Sequence, residues 1–252
     1  MSGRPPTPAR GLLQQARSFA HELTASARAV AGPNTDPFRA TAVQGVASLD
    51  RFVVRQGERT GIVLTVDKAP TLRLEVDYRC VWDHRRMFLA VETSYTKVSA
   101  FGATEPLFRY DYNRSAQSAP AAHFQIHAHR DAISYTMANA GAGSSRSRAR
   151  AKGAGRRIPQ LSDLHFTLGG HRFRPCLEDI LEMLIDEFGV DAPKDARETL
   201  ADGRERWRIK QVGASVRDAP KAAVDVLESL GYAVTPPATG RKRNRRDRLR
   251  AY

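Results

Sequence analysis

The sequence predicts an α+β protein in which helices flank an antiparallel sheet. Two observations support this fold class: apolar residues recur at helical spacing near both ends of the chain, and in the middle they alternate with polar residues. The predicted order is an N-terminal helical hairpin, an antiparallel β-meander of about five strands, a later hairpin and C-terminal helices. Helices and strands that are segregated along the chain are typical of this class. We expect the helices on one face of the sheet.

The N-terminal part predicts a leader followed by two helices. Residues 1–10 contain three prolines and are expected to be disordered. Apolar residues then follow helical spacing over Leu12–Val30, and a second apolar stripe runs over Phe38–Val53, with Asp36 as a candidate N-cap. The two helices would pair as a helical hairpin over residues 11–58.

Period-two alternation predicts the meander. Leu72–Cys80 is the clearest case, because its apolar and charged residues alternate without a break, as in a strand with one wet face. The predicted strands are residues 61–67, 72–80, 87–98, 107–113 and 123–130. The later hairpin pairs residues 164–168 with 171–174 around a Gly169-Gly170 turn.

The C-terminal part predicts three helices and two irregular segments. The helices are residues 177–188, 194–212 and 221–230, and the acidic face of the first is expected to be solvated. Residues 141–157 consist of Gly, Ala, Ser, Arg and one Lys, so we expect a flexible loop within a body that spans residues 59–240. Residues 241–252 form a basic tail.

The positive charge is concentrated in the loop and the tail. The formal net charge is +13, and the runs Arg146–Arg157 and Arg241–Arg250 account for 12 of it. Such runs bind polyanions with little sequence preference, so RNA or DNA is the expected partner; a solvated tail is the alternative. The candidate nucleic-acid-binding residues are Arg146, Arg148, Arg150, Lys152, Arg156, Arg157, Arg241, Lys242, Arg243, Arg245, Arg246, Arg248 and Arg250.

Several protein classes are excluded by composition and motif. No apolar run approaches the ~20 residues of a membrane span, and two cysteines are too few for a disulfide scaffold or a Cys-rich zinc module. The sequence contains no P-loop, HExxH, GxSxG, CxxC or dinucleotide-binding motif. The first ten residues lead into no apolar core of a signal peptide, so we expect a cytoplasmic protein with no membrane partner.

The histidines of one predicted strand are the main candidate for chemistry. His123, His127 and His129 fall on one face, and Arg109 and Asp111 share a face of the preceding strand. Imidazoles beside a carboxylate can supply a general acid and base near neutral pH. The His127/His129 pair, about 7 Å apart along the strand, is also a candidate ligand pair for a divalent transition metal; otherwise we expect no cofactor. The alternative is an ordinary polar strand face.

The sequence predicts a different environment for each of the two cysteines. Cys80 lies on the apolar side of its strand, where a cysteine is usually a small buried hydrophobe. Cys176 falls in the first turn of a helix, where the helix dipole favours a thiolate. A catalytic thiol at Cys176 is therefore a minor hypothesis.

The segment Phe108–Tyr112 (FRYDY), followed by a polar gap and by His123, His127 and His129, resembles the TumE-type toxin family of bacterial toxin–antitoxin pairs. The resemblance covers about residues 60–131. It implies a growth-inhibiting protein that acts on RNA and has a cognate antitoxin, with Asp111, His127 and His129 as the residues to test. This chain departs from the family in its extra helices and in Tyr112, where the family tends to have Asn.

Three hypotheses about function follow from these patterns. The first is a nucleic-acid-associated protein that cleaves RNA without a metal, with two imidazoles as acid and base and an arginine that stabilises the phosphorane. The second is a non-enzymatic accessory protein whose Arg-rich loop and tail bind nucleic acid or an acidic partner. The third is a metal-dependent hydrolase built on the His127/His129 pair.

Overall fold

A computed structural model describes residues 11–43, 51–57, 61–83, 86–116, 119–127, 160–163, 166–168, 171–240 and 242–251. These residues form helices and one antiparallel sheet, which confirms the α+β class. The helices are α1 (Leu12–Ala31), α2 (Leu177–Phe188), α3 (Ala196–Asp218), α4 (Pro220–Ser229) and α5 (Arg246–Leu249). The strands are β1 (Phe38–Ala42), β2 (Arg51–Gln56), β3 (Ile62–Val66), β4 (Ala69–Trp82), β5 (Leu89–Ala100), β6 (Pro106–Asn113), β7 (Ala122–Ile126) and β8 (Phe166–Thr167).

The long strand β4 organises the sheet. The strand order is β1-β2-β4-β5-β6-β7-β8, and β3 also pairs with β4. The C-terminal half of β4 pairs with β2 and its N-terminal half with β3, while β5 runs along its other edge. Consecutive strands from β4 to β7 pair with their neighbours, which confirms the predicted meander.

The predicted second helix is wrong, because residues 38–42 and 51–56 form two antiparallel strands instead. The position of Phe38 fits the apolar spacing of a helix and also the alternation of a strand, so it does not distinguish between them. In the sheet, Phe52 and Val54 point into the core while the arginines at positions 51 and 55 point away from it. The C-terminal half of β4 needs a partner for its backbone groups, and β2 satisfies them. In place of the predicted helical hairpin, the structure has one helix followed by two antiparallel strands.

The predicted later hairpin is only partly correct. Residues 166–167 do pair with β7, but residues 171–174 form a turn and not a returning strand. Two aromatic rings explain the departure: the guanidinium carbon of Arg174 lies 3.8 Å from the ring centre of Tyr112 and 5.1 Å from that of Trp207. These contacts draw Arg174 toward the helical side. Residues 164–165 and 169–170 lie outside the description.

Helices α1 and α2 pack on one face of the sheet, and α3 packs against both of these helices. The predicted stripe of α1 is confirmed, since Leu12, Ala16, Leu23 and Val30 are all buried against the sheet. The best helical pattern of the sequence becomes α2, whose Leu181 and Leu184 are fully buried. None of the helices in the described ranges is long and apolar enough to cross a membrane.

The acidic face of α2 is not simply solvated, in contrast to the expectation. Arg204 of α3 donates hydrogen bonds to Asp179 (2.7 Å) and to Glu182, and Arg197 pairs with Glu182 (2.8 Å) and Asp186 (2.5 Å). The hydrogen bond from Arg204 lowers the pKa of Glu182. This network fixes α3 against α2. The leader (residues 1–10) and the loop (residues 141–157) lie outside the described residues.

Candidate functional site

The face of the sheet opposite the helices is open and polar. Alternation places Phe108, Tyr110 and Phe124 on the helical side, and it places Arg109, Asp111, His123 and Gln125 on the open side, as predicted. The strand register aligns these open-side residues across the sheet. One cross-strand row reads Arg39, Arg55, Asp77, Tyr95, Asp111, His123, and the row beside it reads Glu75, Lys97, Arg109, Gln125. The open face therefore carries ordered lines of charged groups.

A concave pocket of about 840 Å³ lies over the middle of these rows. It is lined by three arginines (Arg55, Arg79, Arg109), three carboxylates (Glu75, Asp77, Asp111), Tyr95 and His123, among others. Several of these charges pair within the face: Lys97 Nζ lies 3.0 Å from Glu75, and Arg55 lies 3.8 Å from Asp77. The pocket thus offers cations, carboxylates and an imidazole within one site, which are the components of acid–base chemistry.

His123 has a fixed orientation in this pocket. Its Nδ1 lies 2.9 Å from the carbonyl oxygen of Pro120, and because a carbonyl only accepts, Nδ1 carries the hydrogen of this bond. The neutral ring then has Nε2 as its basic nitrogen. Nε2 lies 3.7 Å from Asp111 Oδ2. The residue is 7% exposed.

Arg109 holds the Asp111 carboxylate from its other side. Its Nη2 donates to Asp111 Oδ1 at 2.7 Å, so Arg109, Asp111 and His123 form a chain in which Asp111 contacts both partners through different oxygens. The buried Nε of Arg109 has no hydrogen-bond partner among the described residues. The pairing of β6 with β7 places Asp111 directly opposite His123, and Arg109 in the next row.

His127 takes no part in the contacts that join Arg109, Asp111 and His123. It lies four residues beyond His123, about 13 Å along a strand, and it does not line the pocket. Its Nδ1 lies 3.9 Å from Glu105, and burial together with the nearby Arg109 charge lowers its pKa. His129 lies outside the described residues. Of the three histidines predicted to form a row, the structure therefore places His123 in the pocket and His127 outside it.

The described residues around His127 do not supply a set of metal ligands. Within the ranges that the structure describes, no group of three or more His, Cys, Asp or Glu side chains is placed to hold a metal ion. The His127/His129 pair itself falls partly outside these ranges. A metal site on this strand stays a prediction from the sequence.

Part of the basic tail packs against the rest of the protein. Arg245 N donates to the carbonyl oxygen of Asp218 at 2.7 Å, and Arg248 Nη1 lies 3.3 Å from His171 Nε2. Asp247 pairs with Arg245 and so reduces the repulsion within the run. These acceptors explain why α5 docks on the end of α3.

Some of the other candidate nucleic-acid-binding residues are exposed in the structure, and the rest lie outside its described part. The exposed tail residues are Lys242, Arg243, Arg246 and Arg250. The loop residues Arg146, Arg148, Arg150, Lys152, Arg156 and Arg157, together with Arg241, lie outside the described part of the chain. Their role in nucleic-acid binding stays a prediction.

Neither cysteine has the properties of a nucleophile. Cys80 is 1% exposed, as predicted, and burial raises its pKa to about 12. Burial also raises the pKa of Cys176, and the charges of Glu178 and Asp179 raise it further. Desolvation and two acidic neighbours outweigh the helix dipole, so the expected thiolate character of Cys176 is wrong.

A second cluster, which was not predicted from the sequence, lies on the helical side of the sheet. Tyr112 Oη lies 3.1 Å from His171 Nδ1, and Arg174 stacks on Tyr112. Burial and the nearby arginines Arg248 and Arg172 lower the pKa of His171 to about 4. These residues come from three distant segments, so no spacing within the sequence connects them.

Comparison with known proteins identifies no relative of this chain, since no protein-family model, no curated protein and no solved structure matches it.

Proposed function

We propose that the open-face pocket is an acid–base site that cleaves RNA. The observation that carries this proposal is the fixed orientation of His123, whose Nε2 is left as the basic nitrogen beside Asp111. A general base needs a basic nitrogen at the wall of an accessible pocket, in an orientation that the fold fixes. His123 lines the pocket, and its bond to the carbonyl oxygen of Pro120 fixes its orientation.

The pocket supplies each part of a transesterification. His123 Nε2 accepts the proton of a ribose 2′-hydroxyl, and the 2′-oxygen attacks the adjacent phosphorus. The bond from phosphorus to the 5′-oxygen then breaks, and the phenol of Tyr95, next to Asp111 in the cross-strand row, donates a proton to that oxygen. The products are a 2′,3′-cyclic phosphate and a free 5′-hydroxyl. This route uses only side chains of the chain itself.

Arginines support the charge that develops at phosphorus. Arg55, Arg79 and Arg109 line the same pocket, and positioned guanidinium groups stabilise a phosphorane more than they stabilise the starting diester. Tyr95 is 37% exposed, and Phe101 near one edge of the face is 47% exposed. Exposed aromatic rings on a sheet can stack unpaired bases. These features favour single-stranded RNA as the substrate.

The test uses the full chain without a histidine tag. End-labelled single-stranded RNA is incubated with the wild type and with His123→Gln, Asp111→Asn and His21→Gln, with and without EDTA. His21 is an exposed histidine of α1 and serves as the matched control. We expect His123→Gln to lose at least about 100-fold in cleavage rate, which is typical of removing a general base, and His21→Gln to cleave like the wild type.

Thermal unfolding of each variant accompanies the assay, so that a folding defect is separated from a chemical one. Cleavage by a folded His123→Gln variant at the wild-type rate would refute the proposal. Loss of cleavage in EDTA would refute the metal-free route and favour the metal-dependent alternative.

A second candidate function is nucleic-acid binding without catalysis. It is favoured by the exposed tail arginines, which are free to contact a phosphate backbone. Replacement of Arg243, Arg246 and Arg250 by Gln should then weaken RNA binding and reduce its salt dependence, while intact RNA is recovered from the wild type. Binding that is unchanged by this triple variant would count against a role for the tail.

A further inference from the structure

A second cavity lies on the helical side of the sheet, away from the open-face pocket. It has a volume of about 560 Å³, and its walls come from α1, Asp83 with residues 88–91, Tyr112 with Arg114, residues 172–174, α3 and the docked tail. This volume is within the range of small-molecule sites. Its lining mixes apolar, aromatic and charged side chains, as in sites that bind a ligand with both a ring and a charged group.

The charge of the cavity is unbalanced. Seven cationic side chains line it against three carboxylates. Two of these carboxylates are already paired with cations of the same wall, and the third, Asp83, accepts backbone N–H groups of Met87 and Phe88. The excess of arginine in a partly enclosed site favours an anion as the occupant.

Three of the arginines have no carboxylate partner among the described residues. The guanidinium of Arg174 lies against Tyr112 and Trp207, that of Arg217 lies 4.9 Å from the ring centre of Phe88, and Arg114 donates to the carbonyl oxygen of Val91. Burial lowers the pKa of Arg174. A desolvated cation held on aromatic rings is costly unless an anion offsets it. Phosphate matches the planar fork of arginine.

The residues that line the same wall include an unpaired donor and an unpaired acceptor. Trp207 Nε1 and Gln211 Oε1 are both buried, and neither has a hydrogen-bond partner within the described structure. They lie four residues apart on α3, so they are neighbours on one helix face. A donor beside an acceptor matches the hydrogen-bonding edge of a nucleobase. An unmade pair of buried hydrogen bonds is costly, and a ligand that makes both would relieve that cost.

We propose that this cavity binds a nucleoside phosphate, with its phosphates on Arg114, Arg174 and Arg217 and its base edge on Trp207 and Gln211. The site is independent of the RNA-cleaving site proposed above, because the two lie on opposite faces of the sheet.

Calorimetric titration of the full chain tests the proposal with ADP, GDP, CDP and UDP, and with the four matching nucleosides and pyrophosphate as the separate halves. We expect at least one nucleoside diphosphate to bind at least tenfold more tightly than pyrophosphate and than its own nucleoside. Arg217→Gln and Gln211→Leu should each weaken that binding at least tenfold. Both residues lie on α3, and Arg217 is chosen because Arg174 packs more deeply and its loss is more damaging to the fold.

Arg206→Gln is the matched control, because Arg206 is an exposed arginine of the same helix that does not line the cavity. Equal binding by the Arg217→Gln and Arg206→Gln variants would overturn the proposal. So would pyrophosphate binding as tightly as every nucleotide, or no nucleotide binding at all. His123→Gln separates the two proposed sites, since it should abolish RNA cleavage and leave nucleotide binding unchanged.

Discussion

Ser26 of α1 donates a 2.6 Å hydrogen bond to the Oε1 of Glu178 on α2, 152 residues along the chain. Both residues are buried, and their contact lies where α1, α2 and α3 meet. Gly203 of α3 completes this junction, because a Cβ at its position would lie 2.6 Å from the same Oε1. The carboxylate is therefore enclosed between a hydroxyl that fixes it and a glycine that makes room for it.

Gly203→Ala should destabilise the protein, although alanine is the better helix former. The added methyl group cannot fit unless Glu178 moves, and moving Glu178 breaks the hydrogen bond from Ser26. Overpacking of this kind typically costs about 1–3 kcal/mol. Urea unfolding measures the change in the free energy of unfolding.

Gly213→Ala is the internal control for that prediction. Gly213 lies in the same helix, and the nearest atom to its added Cβ is a guanidinium nitrogen of Arg217 at 3.9 Å. This substitution should stabilise the protein by up to about 1 kcal/mol through helix propensity. Stabilisation by both substitutions would show that the Glu178 carboxylate is not confined.

The His171 ring should make stability depend on pH. Its folded pKa of about 4 lies below the ordinary value of about 6.5, so the folded state favours the neutral ring. The stabilisation is fully present above about pH 6.5 and is lost as the pH falls toward about 4. The free energy of unfolding should fall over this window, and His171→Gln should flatten the fall. His21→Gln, at an exposed position of α1, should leave it unchanged.

Arg248→Gln tests the docked tail through the same group. The Arg248 charge, next to burial, is a main cause of the low His171 pKa, so its removal should move that pKa toward its ordinary value. An NMR titration of the imidazole measures the shift. An unchanged His171 pKa would show that the tail is not docked on His171 in solution.

The cysteine environments predict chemical inertness. Burial raises the pKa of both thiols, and Cys176 Sγ lies 3.2 Å from the Asp179 carboxylate, which further disfavours a thiolate. At pH 8 a thiol reagent such as DTNB should leave the folded protein unmodified and should titrate two thiols once guanidinium unfolds it. Rapid modification of the folded wild type, lost in Cys176→Ser, would contradict this environment.

Sequence periodicity correctly predicted helices and strands wherever the apolar residues follow only one pattern, either helical spacing or alternation. The stripe of α1 and the alternation of β4 each admit a single interpretation, and both are confirmed. Residues 38–57 were ambiguous, because the spacing of Phe38, Ala42 and Val53 suggested a helix while Phe52 and Val54 also fit a strand. The partner strand β4 decided between the two, and pairing between distant segments is not visible in local spacing.

The same limit applies to the candidate site. Arg109, Asp111 and His123 were predictable because two neighbouring strands of a meander bring them together. Asp77 and Tyr95 belong to the same row, but their place depends on the register of β4 and β5, which includes a shift between Arg79 and Cys80. The second cavity draws its walls from six separate segments, and no spacing within the sequence connects them.

Strand β4 pairs with β2, β3 and β5, and the lengths of chain that these pairings close differ. The β3–β4 pairing closes through a two-residue turn in which Asp67 and Lys68 both have positive φ, and β4–β5 closes through a short connection, so both pairings are local. Strand β2 lies farther from its partner along the chain and closes a longer loop, which has the larger entropic cost. We therefore expect β3, β4 and β5 to assemble first as the nucleus on which the β1–β2 hairpin later docks. The backbone amides of β4, enclosed by partners on both edges, would then be the last to exchange with solvent.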